Sequence, residues 1–143
     1  MKYLKQLLLL SALVFLAACE NSEKDTTPPK IEIIAPEENT AYKFGETIKM
    51  RLNFDDPSGI MEFQVEVFRE EYTAKSFDYI RLVTLATTVT SFSNVYEVNV
   101  PENLDATTKY DAGNYVIRIK ASDYNMNVGT VERKITINYP EAE

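Results

Sequence analysis

Apolar and polar side chains alternate along most of the chain from residue 30 to residue 140. The clearest alternation is Thr47–Phe54, where polar residues separate four apolar ones: Ile48, Met50, Leu52 and Phe54. Residues Met61–Phe68 repeat the pattern. Successive side chains of a β-strand point to opposite faces, so a period of two predicts strands with one buried and one solvated face.

Several such segments are separated by Gly, Pro, Asp and Asn, and no amphipathic helical pattern lies between them. The predicted strands are Lys30–Ala35, Thr47–Phe54, Met61–Phe68, Tyr79–Ala86, Val95–Val100, Tyr115–Ala121 and a last one through Val131, Ile135 and Ile137. This pattern predicts an all-β fold, an immunoglobulin-like antiparallel β-sandwich of about seven strands over residues 30–140.

The N-terminus has a different pattern. Lys2 and Lys5 precede an apolar run from Leu7 to Ala18, which is shorter than the ~20 residues of a membrane-spanning helix. Residues 1–18 are therefore predicted to be a signal peptide. The sequence Leu-Ala-Ala-Cys at 16–19 resembles the lipobox of bacterial lipoproteins, which implies a diacylglycerol on Cys19. We expect a lipid-anchored protein of the outer membrane, on either face of it.

Residues 19–29 are polar and lack an apolar period, which predicts a flexible tether. Its acidic start (Glu20, Glu23 and Asp25) resembles the export signals of Bacteroidetes surface lipoproteins. A plain soluble linker is the alternative interpretation.

The amino-acid composition argues against several classes of function. Loss of residues 1–18, with Lys2 and Lys5, would change the net charge from −7 to −9, which argues against binding of nucleic acid or anionic lipid headgroups. The chain has no His, and Cys19 is its only Cys, so the commonest general base and a thiol nucleophile are absent. We expect a non-catalytic protein; a hydrolase using a carboxylate pair such as Asp55 and Asp123 is an alternative.

Four segments carry a family resemblance. Asp111–Ile117 resembles the start of strand F in immunoglobulin domains, which implies that Tyr115 forms a tyrosine corner, with a buried ring and its hydroxyl bonded to the backbone just upstream. Phe54–Ile60 and Ala121–Asn127 resemble turns of bacterial immunoglobulin-like domains. Together with Thr26–Ile31, these segments resemble DUF4625, a family of small Bacteroidetes lipoproteins of unknown function. The resemblance implies a fold rather than an activity.

In this topology the tether enters beside the loops at one end of the sandwich. These loops carry oxygen-bearing side chains of the kind that bind Ca²⁺: Asp55, Asp56, Asp123 and Asn125, with Ser58 and Asn127 nearby. The Asp123 turn also resembles the motif with which cadherins bind Ca²⁺, so a Ca²⁺-stabilised adhesion-type module is an alternative function. The alternative interpretation is that these Asp and Asn residues form tight turns and bind no ion.

The opposite end is predicted to consist of loops at 36–46, 70–78 and 101–114. Aromatic side chains in these loops would bind a glycan or peptide if exposed, and would otherwise cap the core: Tyr42, Phe44, Tyr72, Phe77 and Tyr110. The expected function is that of a lipid-anchored, non-catalytic interaction or accessory module of the cell envelope, with a protein or a glycan as its ligand.

Overall fold

The computed structural model describes residues 25–103 and 110–141, so the predicted signal peptide, Cys19 and the first half of the tether lie outside the described residues. The described chain contains strands and no helix. The strands are β1 (Lys30–Ala35), β2 (Thr40–Lys43), β3 (Thr47–Arg69), β4 (Tyr79–Asn99), β5 (Gly113–Asp123) and β6 (Val128–Asn138). The predicted all-β, immunoglobulin-like sandwich is confirmed, with six strands. Among these residues no helix could cross a bilayer.

Strand β3 belongs to both layers of the sandwich. Its first part, up to Asp55, pairs antiparallel with β1 and with the second part of β4. Its second part, from Ile60, pairs with β5 and with the first part of β4. The register shifts between Asp55 and Ile60, and this segment, 55–60, is called the crossing below. The predicted loop between Phe54 and Met61 is therefore wrong, because the chain stays extended as it passes from one layer to the other.

Strand β4 also joins two predicted strands into one. The Thr- and Ser-rich segment Thr87–Asn94 lies between these two predicted strands, and part of it pairs with β3, with Ser91 opposite Asp55 and Phe92 opposite Phe54. Pairing of this kind keeps a polar segment extended.

Strand β2 was not predicted. It lies inside the expected loop at 36–46 and pairs in parallel with β6, with Thr40 opposite Ile135. Its sequence, Thr-Ala-Tyr-Lys, does not alternate between apolar and polar residues, so it carries no strand pattern. The order of the described strands in the sheet is β1-β3-β5-β6-β2, and β4 pairs with β3 outside this order.

One hydrophobic core lies between the two layers. The inward side chains of β3 are Ile48, Met50, Leu52 and Phe54 before the crossing and Phe63, Val65 and Val67 after it. The inward side chains lie at even-numbered positions before the crossing and at odd-numbered positions after it. The irregular pairing within the crossing accounts for this change of one residue. The rings of Phe54 and Phe63 meet with centroids 4.9 Å apart, and Phe92 stacks on Phe54 at 4.7 Å. These three rings close the core beside the crossing.

The predicted tyrosine corner is confirmed. The ring of Tyr115 is fully buried, and its hydroxyl donates to the carbonyl of Asp111 at 2.7 Å and accepts from the N–H of Phe77 at 3.4 Å. Burial is the main cause that raises the pKa of this hydroxyl. Tyr115 thereby links the start of β5 to the connection between β3 and β4.

Replacing Tyr115 by Phe tests this link. The variant lacks both hydrogen bonds of the hydroxyl, and at roughly 1 kcal/mol for each we expect the free energy of unfolding to fall by about 1–2 kcal/mol. Urea denaturation would measure the change. Tyr72→Phe is the matched control, because the Tyr72 side chain is 80% exposed and should change stability by less than about 0.5 kcal/mol. Equal stability of Tyr115→Phe and the parent protein would contradict the structural role.

Candidate functional site

Three aspartates converge at the end of the sandwich where the chain enters it. Asp25 precedes β1, Asp56 lies in the crossing, and Asp123 is the last residue of β5. One carboxylate oxygen from each lies within 4.8 Å of those from the other two. Asp56 and Asp123 are buried, with 1% and 0% of their surface exposed, and Asp25 is half-buried. These residues are called the three-aspartate site.

Asp123 organises the turn between β5 and β6. Its Oδ1 accepts hydrogen bonds from the backbone N–H groups of Asn125 and Asn127, both at 2.8 Å. Its Oδ2 accepts from the side-chain amide of Asn127 at 2.7 Å. This is the turn-forming role that Asp and Asn commonly have, and it holds the Asp123 carboxylate in one orientation.

Asp56 is less well satisfied. Its Oδ1 accepts from the N–H of Ser58 at 2.7 Å, whereas its Oδ2 is buried and has no hydrogen-bond partner among the residues that the structure describes. Burial is the main cause that raises the pKa of Asp56, and the negative charges of Asp123 and Asp25 raise it further. Burial and the neighbouring negative charges both disfavour the ionised form of Asp56, and a proton or a cation at the site would relieve this penalty.

Asp25 attaches the entering chain to both neighbouring segments. Its carboxylate accepts from the hydroxyl of Ser58 and from the N–H of Thr27, the latter at 2.9 Å. These bonds, that of Ser58 above all, lower the pKa of Asp25. The backbone carbonyl of Asp25 accepts from the side-chain amide of Asn127 at 3.0 Å. Residues 25–29 of the predicted tether therefore pack against the domain.

Two glycines allow the close packing around the site. A Cβ on Gly129, in β6, would lie 2.1 Å from the carbonyl oxygen of Pro29, so only glycine lets the entering chain lie against β6. Gly59 has a φ of +89°, which favours glycine, and a Cβ there would lie 2.5 Å from Cγ2 of Thr88. Both contacts join residues that are far apart in the sequence and are brought together by the fold.

No positive side chain among residues 25–103 and 110–141 forms an ion pair with the three-aspartate site. The ion pairs among the described residues are formed by other acids, and most lie on the outer faces of the sheets. The hydrogen-bond donors that reach the three carboxylates are all neutral. Three like charges at this spacing repel one another when ionised.

The structure corrects the predicted metal-binding set. Asp55 is exposed and is not part of the three-aspartate site, because neighbouring strand residues point to opposite faces. It lines a surface hollow with Lys30 and Ser91 instead. The suggested catalytic pair of Asp55 and Asp123 therefore lacks support. Asn125 meets the site through its backbone N–H, and Asp25, which was expected only in the tether, takes the place of Asp55.

The sequence contains one signal that identifies Asp56. The inward alternation of Ile48, Met50, Leu52 and Phe54 reaches Asp56 if it is continued by two residues. The same alternation places Asp55 on the outer face. The turn-like composition of the crossing hides this continuation.

The predicted aromatic binding surface is largely absent. Phe44 and Phe77 are buried, with 5% and 7% exposed, so of the two interpretations the one in which they cap the core holds for these rings. The ring of Phe44 lies between those of Tyr110, at 6.3 Å, and Tyr139, at 5.8 Å. Tyr42 and Tyr110 are half-buried against the core, and Tyr72 is exposed. Most of these rings cap the core.

Strand β4 presents a long free edge that sequence reasoning missed. Among the described residues its only strand partner is β3, so its other edge is unpaired over 21 residues. Its only charged residues are Arg81 and Glu97. Three large apolar side chains on it are exposed: Ile80, Leu82 and Val95. Whether a strand lies at an edge depends on long-range pairing, which its own sequence does not specify.

Residues 17–138 match a family model described as "Domain of unknown function (DUF4625)". No curated protein matches the sequence.

Similar solved structures include OgpA from Akkermansia muciniphila, with 13% identity and a TM-score of 0.51, over 83% of this chain and 32% of that one. They also include a fibronectin(III)-like module of CbhA from Clostridium thermocellum, with 10% identity and a TM-score of 0.48, over 79% of this chain and 100% of the other. The chain thus spans about a third of OgpA, and at this identity the likeness to OgpA shows the fold alone.

Proposed function

Because the chain belongs to the DUF4625 family, whose description assigns no activity, we propose a function from its own surface: a non-catalytic interaction module of the cell envelope, anchored by lipid on Cys19, that binds a protein partner along the free edge of β4. The observation that carries the proposal is the length and composition of that edge.

The edge of β4 is suited to strand addition. An unpaired strand offers a row of backbone N–H and C=O groups to a strand of another chain, and proteins usually protect such edges with charges, proline or short length. The other edge strands, β1 and β2, have only six and four residues. β4 has 21 residues, no proline and exposed Ile80 and Leu82. A partner strand would bond to the backbone and cover these side chains.

A protein partner fits the surface better than a glycan does. Glycan binding would require aromatic faces in solvent, but Phe44 and Phe77 are inside the core and Tyr72 is the large exposed ring at that end. The free groups of β4 are backbone donors and acceptors, which recognise an extended peptide.

Two observations support a non-catalytic function: the amino-acid composition of the chain and the separation of Asp55 from Asp123. The chain has no His, and its single Cys is the lipid attachment residue of the proposal. Asp55 is exposed on the outer face, whereas Asp123 is buried and bonded within its own turn.

The fold is compatible with an anchor at Cys19. The chain enters the sandwich at the three-aspartate site, and the connection between β3 and β4 lies at the opposite end with Tyr139. A lipid at Cys19 would therefore hold the three-aspartate end towards the membrane. The first half of β4 would extend away from it and stay accessible to a partner.

Replacing Cys19 by Ser tests the anchor. A serine hydroxyl lacks the thiol that the lipobox requires, so we expect the variant to lose incorporated fatty acid and to move from the detergent phase to the aqueous phase on Triton X-114 partition. Labelling of cells with an alkynyl fatty acid measures the first effect. Ser22→Ala, which leaves residues 16–19 intact, should behave like the parent. A Cys19→Ser protein that still carries label would contradict the anchor.

A photo-crosslinking amino acid at Leu82 tests the β4 edge. In living cells we expect one discrete adduct with a protein of different sequence, because a partner strand would lie against this side chain. The control is Asn114, which is exposed but lies on β5, a strand paired on both sides. Absence of an adduct at position 82, equal adducts at both positions, or an adduct with the mass of two copies would contradict the proposal.

A further inference from the structure

We propose that Asp25, Asp56 and Asp123 bind one Ca²⁺ ion, and that this ion fixes residues 25–29 to the sandwich. The proposal concerns the end of the domain where the chain enters and is independent of the β4 edge.

The unsatisfied oxygen of Asp56 is the observation that points to a ligand. Asp56 is 1% exposed, and its Oδ2 has no hydrogen-bond partner in the described part of the chain. A buried polar atom without a partner loses its hydration and gains nothing in exchange. The Asp56 carboxylate faces those of Asp25 and Asp123, so a cation among the three would satisfy it.

Charge gives a second, independent reason. Ionisation of all three carboxylates gathers three negative charges, and the groups that donate to them are backbone N–H groups, the Ser58 hydroxyl and the Asn127 amide, all neutral. A divalent cation would reduce the net charge of the site from −3 to −1 and replace repulsion by attraction.

The spacing and chemistry of the ligands favour Ca²⁺. Oxygen is the only ligand atom that the three side chains offer, which suits a hard cation. Ca²⁺ binds oxygen at about 2.3–2.6 Å, so two of its ligands can lie up to about 5 Å apart, whereas Mg²⁺ at about 2.1 Å allows only about 4.2 Å. The oxygens lie within 4.8 Å of one another, and Ca²⁺ covers that whole range.

The hydrogen bonds already present are compatible with a bound ion. A carboxylate oxygen has more than one lone-pair site, so an oxygen that accepts an N–H group can also bind a metal. Asn125 and Asn127 hold the Asp123 carboxylate in place through their N–H groups. The site therefore needs no rearrangement of the turn to receive Ca²⁺.

The ion would connect two parts of the chain. Asp56 and Asp123 lie in strands of the sandwich, whereas Asp25 belongs to the segment that leads from the anchor proposed at Cys19. The contacts within the chain that hold this segment are the hydrogen bonds of Asp25 with Ser58 and Asn127 and the packing of Pro29 against Gly129. A shared Ca²⁺ would add a stronger link between this segment and the sandwich.

Calorimetric titration of the full chain in detergent with CaCl₂ tests the site. We expect one Ca²⁺ per chain, and binding weaker by at least about tenfold in Asp56→Asn and in Asp25→Asn. Asp55→Asn is the matched control, since it removes the same charge from the neighbouring, exposed residue and should leave the affinity unchanged. Asp25 lies outside the strands, so its variant remains informative if Asp56→Asn fails to fold.

The melting temperature distinguishes a Ca²⁺ ligand at position 56 from a residue that only supports the fold. With EDTA, Asp56→Asn should melt above the parent, because it removes a repelling charge and keeps the oxygen that accepts from Ser58. With Ca²⁺, the parent should gain stability and the variant should not.

Hydrogen exchange tests the link to residues 25–29. The N–H of Thr27 donates to Asp25, so Ca²⁺ should slow its exchange. Unchanged exchange at Thr27 in the presence of bound Ca²⁺ would overturn the link.

Three further results would overturn the site. The first is no heat and no rise in melting temperature at about 10 mM Ca²⁺, well above the ~0.1–1 mM dissociation constants of extracellular Ca²⁺ modules. The second is an equal loss of affinity in Asp55→Asn and Asp56→Asn, which would indicate a diffuse acidic surface. The third is equal affinity for Mg²⁺, which would contradict the choice of Ca²⁺.

Discussion

The hydrogen-bonded ladder between β3 and β4 is the constraint on which the rest of the structure depends. It runs from the pair Thr47–Asn99 to the pair Val67–Tyr79 and passes through both layers of the sandwich. In one layer it carries β1, and in the other it carries β5, to which β6 and then β2 are added. The layers are thus joined by continuous strands as well as by the packing of Phe54 against Phe63. Because β3 is the only described strand that pairs with β4, β4 is an edge in both layers.

The same ladder creates the three-aspartate site. Where β3 crosses between the layers, its inward face reaches the end of the core, and the side chain at that position is Asp56 rather than an apolar residue. The end of β5 and the entering chain arrive at the same place and contribute Asp123 and Asp25. Burial, like charges and an oxygen without a partner therefore coincide at one point. The proposed ion and the proposed partner strand both follow from the path of β3 and β4.

Local patterns predicted the parts of this structure that depend on neighbouring residues. The alternation of Ile48–Phe54 gave the correct inward face, and the motif around Tyr115 gave the tyrosine corner. The crossing was predicted as a loop because Pro57, Ser58 and Gly59 are typical turn residues; the ladder on either side keeps it extended. Asp25 could not be assigned to the site, since its position depends on Pro29 packing against Gly129, 100 residues away. The sequence left open whether the aromatic rings are exposed or cap the core for a similar reason: it does not show that the loops fold back over the core.

The central claim is that a cation, rather than a proton, satisfies the buried Asp56. The most direct measurement is anomalous X-ray diffraction from crystals of the protein grown with CaCl₂. The account predicts a single anomalous peak at the three-aspartate site, about 2.3–2.6 Å from one oxygen each of Asp25, Asp56 and Asp123. It would be contradicted by the absence of a peak together with the Asp56 carboxyl at about 2.6 Å from a carboxylate oxygen of Asp123, the separation of two carboxyl groups that share a proton.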